Sequence, residues 1–173
     1  MDMLDHVGDQ TLAYWSGVDL DALGESVTWA GSGPAPVWLD AAREHTEHWT
    51  RQQQSRDATD RPGFKQPAFL FPVLDTFLRP LAHPLRAVPA PRGALLRFTV
   101  TGPAGGDRRC ERRAGGWRVD RRSAQRPTVE LDAKTTWRLC THGITPREAA
   151  GRARRAGPEQ YTGPALEVVS IVC

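Results

Sequence analysis

The feature that most constrains this chain is a change of hydrophobic period across a proline-rich connection. The segment His83–Gly93 reads HPLRAVPAPRG, with proline at 84, 89 and 91. Proline has no backbone N–H to give to a helix or a sheet ladder. Before this segment the apolar residues recur every three to four positions; after it they alternate. A chain whose period changes from helical to strand-like here, without alternating strand by helix, segregates its helices from its strands. That is an α+β plan and not a series of βαβ units. The expected division is a helical part over residues 1–86 and an α+β part over residues 87–173.

Upstream, residues 2–16 read as a helix, with Leu4, Val7, Thr11 and Tyr14/Trp15 at helical spacing. Residues 17–36 are rich in Gly, Ser and Pro and read as a loop. A long helix is expected from Val37 to about Ala58, with a core stripe of Trp38, Ala41/Ala42, His45, Trp49 and Gln52, ended by Arg61-Pro62-Gly63. A third helix is expected over Pro67–Leu81, where Phe69, Leu70, Val73, Leu74, Phe77, Leu78 and Leu81 keep i, i+3/i+4 spacing. Downstream, Leu95–Thr101, Arg108–Arg113, Trp117–Arg121 and Thr128–Leu131 read as strands with short connections, which predicts an antiparallel meander. Asp132 caps a helix through Ala133–Thr141. Thr145 to Glu148 is a capping box that opens another helix to about Arg155. Pro164–Val172 reads as a last apolar helix, with enough β-branched residues for a strand.

Composition excludes several classes. The longest apolar run, Leu166–Cys173, is broken by Glu167 and Ser170 and is far short of a membrane span. The acidic start MDMLDHVGDQ lacks a signal-peptide pattern, so a cytoplasmic location is expected. Cys110, Cys140 and Cys173 show no C-x-x-C spacing and are expected to be reduced, structural thiols. The net charge is +3, and Arg108, Arg109, Arg112, Arg113, Arg118, Arg121, Arg122 and Arg126 fall in one stretch. Only Trp117 stands among them, so the cluster reads as a solvated sheet face, not as a nucleic-acid surface.

The segment Arg43–Gly63 carries the chemistry. On a helix, Glu44, Glu47, His48 and Arg51 share one face. Glu44 and His48, at i and i+4, can each give one ligand to a divalent ion. Zinc accepts such a mixed nitrogen and oxygen pair but needs a third protein ligand. The competing reading is an ordinary Glu47–Arg51 ion pair, with His45 and His48 at the edge of the core. Residue chemistry alone favours the ion pair over the metal site.

The wording of this helix resembles a known family. Gln52-Gln53-Gln54-Ser55-Arg56-Asp57-Ala58 followed by Arg61-Pro62-Gly63 is similar to actinobacterial mycothiol-dependent maleylpyruvate isomerase-like proteins. So are PVLDTFLRPLAHPLR, FTVTGPAGG, GGWRVDR and VELDAKTTWRLCTHGITPREA, which together extend the resemblance over essentially the whole chain. It implies part of a DinB-type, metal-binding four-helix bundle followed by a small sterol-carrier-like α+β domain. The family's divalent metal, usually zinc, is held by an early His and by a Glu and a His at i, i+4. The Glu falls on Glu47, and the paired His falls on Arg51, which stays protonated and is not a ligand. The early His belongs to a half-bundle that relatives carry ahead of the point where this chain begins. Either the natural chain is longer or its metal site has decayed. A shifted site from Glu44 and His48, with His45 or Glu47 as the third ligand, is the remaining arrangement.

The resemblance also implies a small apolar or amphipathic ligand held between sheet and helices. Phe98, Val100, Trp117, Val119 and Trp137 are candidate lining residues, or else ordinary core. Arg138 is placed to recognise an anionic substrate or a carboxylate of mycothiol, or else lies on the surface. The expected function is a thiol-dependent isomerase or transferase with an incomplete metal site. The alternative is a non-catalytic small-molecule-binding or protein-interaction module. Expected partners are a small molecule and a second copy or another chain that completes the bundle; membrane and nucleic acid are not expected.

Overall fold

The computed structural model describes residues 2–26, 33–120 and 127–170. It divides into two compact units, Met1–Glu44 and His45–Cys173. Its secondary structure is α+β, with helices and two sheets. No helix among the described residues is long and apolar enough to cross a membrane.

The first unit opens with α1 (Met3–Ser16), which closes as the Gly17 N–H returns to the Tyr14 carbonyl at 3.1 Å. Residues expected as loop instead hold a short hairpin. Strands β1 (Leu23–Ser26) and β2 (Pro34–Pro36) pair antiparallel, Leu23 opposite Pro36. Two prolines in β2 cannot donate to the ladder, which keeps it short and its register irregular. Helix α2 (Trp38–Ala58) starts here, with the Trp38 N–H donating to Leu20 at 2.8 Å.

In the second unit α2 continues to Ala58. Its buried side chains are Thr46, Trp49, Thr50 and Gln53. The expected stripe held Trp49 but placed His45 and Gln52 where the helix buries Thr46 and Gln53. Threonine and glutamine read as polar, yet their i, i+3, i+4, i+7 spacing makes them one face. The expected helix over Pro67–Leu81 is broken into α3 (Pro67–Phe77), a 3-10 turn at Arg79–Leu81, and α4 (Ala82–Leu85). Pro80 lacks an N–H and crowds the carbonyl four residues back, so a continuous α-helix cannot pass it.

The five-stranded sheet has the order β5-β4-β3-β6-β7. Strands β3 (Leu95–Thr101), β4 (Gly106–Arg113) and β5 (Gly116–Asp120) form the expected antiparallel meander. Strand β6 (Thr128–Asp132) does not extend it. It pairs parallel with the other side of β3, Phe98 opposite Val129 and Val100 opposite Leu131. That register puts four apolar side chains on one buried face, which a one-residue slip would lose. Helix α5 (Ala133–Cys140) is capped by the Asp132 carboxylate, which accepts from the Thr135 N–H at 2.9 Å. Helix α6 (Pro146–Arg152) has the expected capping box but ends early. Residues expected to continue it form β7 (Arg154–Ala156), antiparallel to β6. Pairing with the open edge of β6 satisfies backbone groups that a fraying helix end leaves to water. The short α7 (Glu159–Thr162) leads to a 3-10 turn at Pro164–Glu167, after which Val168 is extended. The expected helix to Val172 is therefore a single turn and an extended tail; its last two residues lie outside the described ones.

The core joins α3 and α4 to the inner face of the sheet. Phe77, Leu81 and Leu85 are wholly buried together with Leu96, Phe98 and Val129. Each such side chain contributes about 1.5–3 kcal/mol. Arg108 also points inward. It pairs with Asp75 of α3, which bonds Arg79 at 3.0 Å as well. On the outer face Arg97 meets Asp107 at 2.5 Å, and Arg113 meets Glu111 at 3.0 Å. The arginine stretch thus belongs to the sheet, with several charges met by carboxylates. Arg121, Arg122 and Arg126 lie outside the described residues.

Candidate functional site

The end of α2 folds back on itself and makes one wall of a cleft. Asp60 takes a left-handed conformation, φ 52°. The Arg61 N–H then returns to the Arg56 carbonyl at 2.8 Å and closes the helix. The Arg56 guanidinium donates to the Pro62 carbonyl at 3.0 Å and stands 5.4 Å over the Phe64 ring. The Phe64 N–H donates to Gln53 Oε1 at 2.9 Å. Gly63 lies so close to α2 that a Cβ there would meet Gln53 Oε1 at 2.8 Å. Only glycine fits without a shift.

Opposite stands the first turn and a half of α5, contributing Ala133, Lys134, Trp137 and Arg138. The β3–β4 turn, Gly102–Ala104, and Leu70 of α3 close the ends. The cleft is open to solvent on one side and its volume is about 780 Å³, within the usual range for a small-molecule site. Trp49 and Trp137 meet edge to face, centroids 5.5 Å apart at 84°, and form the apolar floor. Arg61, Lys65, Lys134 and Arg138 line the cleft, against Asp57 and Asp60. Arg138 is held by a bond from its Nη2 to the Gly143 carbonyl at 3.2 Å. The lining residues include no His, Cys or Ser. The site is suited to an anion with a flat apolar body.

Arg138 is therefore on the cleft, and so is Trp137. The other candidate lining residues are not. Phe98, Val100 and Trp117 are core, and Val119 packs against it. The sequence pattern did not single out Gln53, Arg61, Lys65 or Lys134 as lining residues. The signal that could have found two of them, Gln53 and Arg61, is the unusual run from Gln52 to Gly63, which supplies one wall of the cleft.

The metal candidates lie elsewhere. Glu44 pairs with Arg43 at 3.5 Å in the first unit. Glu47 is half-buried, and His48 is exposed on a shallow groove shared with Arg51, Arg56 and Arg61. His45 donates from Nε2 to the Phe69 carbonyl at 3.2 Å. Among the described residues no group of three His, Cys, Asp or Glu side chains is placed to hold a metal ion. Three guanidiniums beside His48 oppose a divalent cation, so the donor set does not fit one. Cys110 and Cys140 are buried and unpaired with each other; burial pushes each thiol up to about 12. Neither is a thiolate nucleophile. Cys173 lies outside the described residues.

No protein-family model and no curated protein matches the sequence. Among solved structures, the chain is similar to the solution structure of the sterol carrier protein domain 2 of Helicoverpa armigera. The identity is 18%, over 57% of this chain and 77% of that one, with a TM-score of 0.34.

Proposed function

We propose that this protein is a small-molecule-binding module that takes an anionic ligand with an apolar body in the cleft between α2 and α5. One observation carries the reading: a cleft of about 780 Å³ places two tryptophans beside four cationic side chains and two carboxylates. Coulombic attraction from that two-charge excess favours anions, and the indole rings supply apolar area. The test is a tryptophan-fluorescence titration with aromatic acids. Saturable quenching that weakens at least about tenfold in Lys134→Glu/Arg138→Glu supports it; quenching unaffected by that double change removes it.

The resemblance to mycothiol-dependent maleylpyruvate isomerase-like proteins gives a second reading, favoured by the position of Arg138 on the cleft wall. In it the ligand is mycothiol and the protein is a thiol-dependent isomerase or transferase. The family's thiolate chemistry would call for a divalent metal, which the donor set around His48 does not fit. Metal analysis of untagged protein decides this reading. Stoichiometric zinc that is lost in Glu47→Ala or His48→Ala restores it, and metal-free protein without thiol-transfer activity leaves the binding module.

A further inference from the structure

The cleft wall holds two hydrogen-bond donors that the fold leaves unused. Trp49 and Gln53 are four residues apart on α2 and share one face. Both line the cleft, and they are 5% and 3% exposed. The orientation of the Gln53 amide is set by its partner: Oε1 accepts from the Phe64 N–H, so the remaining atom is the NH2 group. That NH2 and the Trp49 indole N–H are both buried with no acceptor. Unpaired buried donors are rare, and each costs about as much as a hydrogen bond. The Thr50 hydroxyl on the same turn is also buried without a partner, but only Trp49 and Gln53 belong to the lining of the cation-rich cleft, and this pair calls for a physical reason. Both nitrogen atoms are shielded from solvent in this conformation, although their residues line the cleft. A ligand acceptor that draws them to the surface recovers both bonds.

Resting on the reading of the cleft as an anion site, we propose that Trp49 and Gln53 are its specificity-determining residues and that they select a carboxylate. The two oxygens of a planar acid take the indole N–H and the amide N–H, and its body lies against Trp137. An ionised carboxylate only accepts hydrogen bonds, so it matches two donors. An amidine of the same shape only donates, and places donor against donor and cation among cations.

The probes are benzoate, benzamide and benzamidine, three planar isosteres that differ in acceptor count and charge. The full-length protein is titrated and followed by the Trp49 indole and Gln53 side-chain amide signals in 1H–15N correlation spectra. Benzoate is expected to shift both signals, benzamide less, and benzamidine neither. Trp49→Phe keeps the ring against Trp137 and loses the donor. Gln53→Glu keeps the acceptor for Phe64 and replaces the donor with a negative oxygen. Each is expected to weaken benzoate about tenfold or more, and Gln53→Glu to reverse the order in favour of benzamidine. Near-UV circular dichroism checks that both variants fold, and the wild-type spectra need no variant.

The outcomes separate the two readings. Benzoate binding that responds to Lys134→Glu/Arg138→Glu but not to Trp49→Phe or Gln53→Glu overturns the donor pair and leaves the anion cleft standing. Benzoate binding that responds to none of these changes overturns both. So does the absence of any cleft response to benzoate at roughly 50 mM, a concentration at which even a weak small ligand registers.

Discussion

At the scale of single residues, two backbone positions shape the site. Gly63 is held against Gln53 Oε1 with no room for a Cβ. The contact is with the far end of a side chain that can shift, so Gly63→Ala is expected to cost about 1 kcal/mol, the low end of the overpacking range, and to weaken any cleft ligand because it displaces the Gln53 amide. Urea denaturation and the fluorescence titration measure the two effects. His142 has φ 56° at the end of α5, a left-handed position that strains a residue with a Cβ. His142→Gly is expected to stabilise the protein by up to about 1 kcal/mol, read as a rise in thermal midpoint.

At the scale of elements, α3 is tied to β4 by a buried charge. Arg108 is 7% exposed and is paired with Asp75, which also binds Arg79. Arg108→Met takes the inward-facing cation from Asp75, which keeps its bond to Arg79, and is expected to cost about 3 kcal/mol. Adding Asp75→Leu removes the carboxylate that has lost this partner, so the double variant is expected to be less destabilised than the sum of the single ones. A double-mutant cycle in urea measures the coupling; strict additivity would mean that the pair holds no net energy.

At the scale of the whole molecule, three carboxyl groups link stability to acid pH. Asp107 is lowered from 3.8 first by its hydrogen bond from Arg97 and then by that from Thr99. At Asp132 burial works to raise the value, but hydrogen bonds from Thr135 and the Lys134 N–H outweigh it and the net direction is down. Glu148 is lowered from 4.5 by the Thr145 backbone N–H and then its hydroxyl. Each has a folded value below its unfolded one. Their contribution is therefore complete above about pH 5 and is lost as pH falls through the lowered folded values. The urea midpoint is expected to change little from these groups between pH 6 and 8 and to fall steeply below pH 4. The buried thiols give a second whole-molecule test. Cys110 and Cys140, pushed up to about 12, are expected to resist a thiol reagent at pH 8 and to label on unfolding, as mapped by peptide mass.

Local rules alone determine the α+β class, the helices over residues 2–16 and from Trp38 to Ala58, the β3–β5 meander and the Asp132 and Thr145 caps. Each depends on neighbours a few residues away: a period of 3.6 or 2, a glycine turn, a side-chain oxygen three positions from an N–H. The place of Arg138 on the helix after Asp132 was also legible. Only tertiary structure decided that β6 runs parallel beside β3, that Arg154–Ala156 is a strand, and that Pro80 splits the third helix. Open ladder edges and shared buried faces are properties of distant segments brought together, so no window of sequence contains them. The cleft follows the same logic. The proline-rich switch of period separates α2 from α5 by some seventy residues, and the unpaired donors of Trp49 and Gln53 acquire meaning only when folding places Trp137, Lys134 and Arg138 across from them.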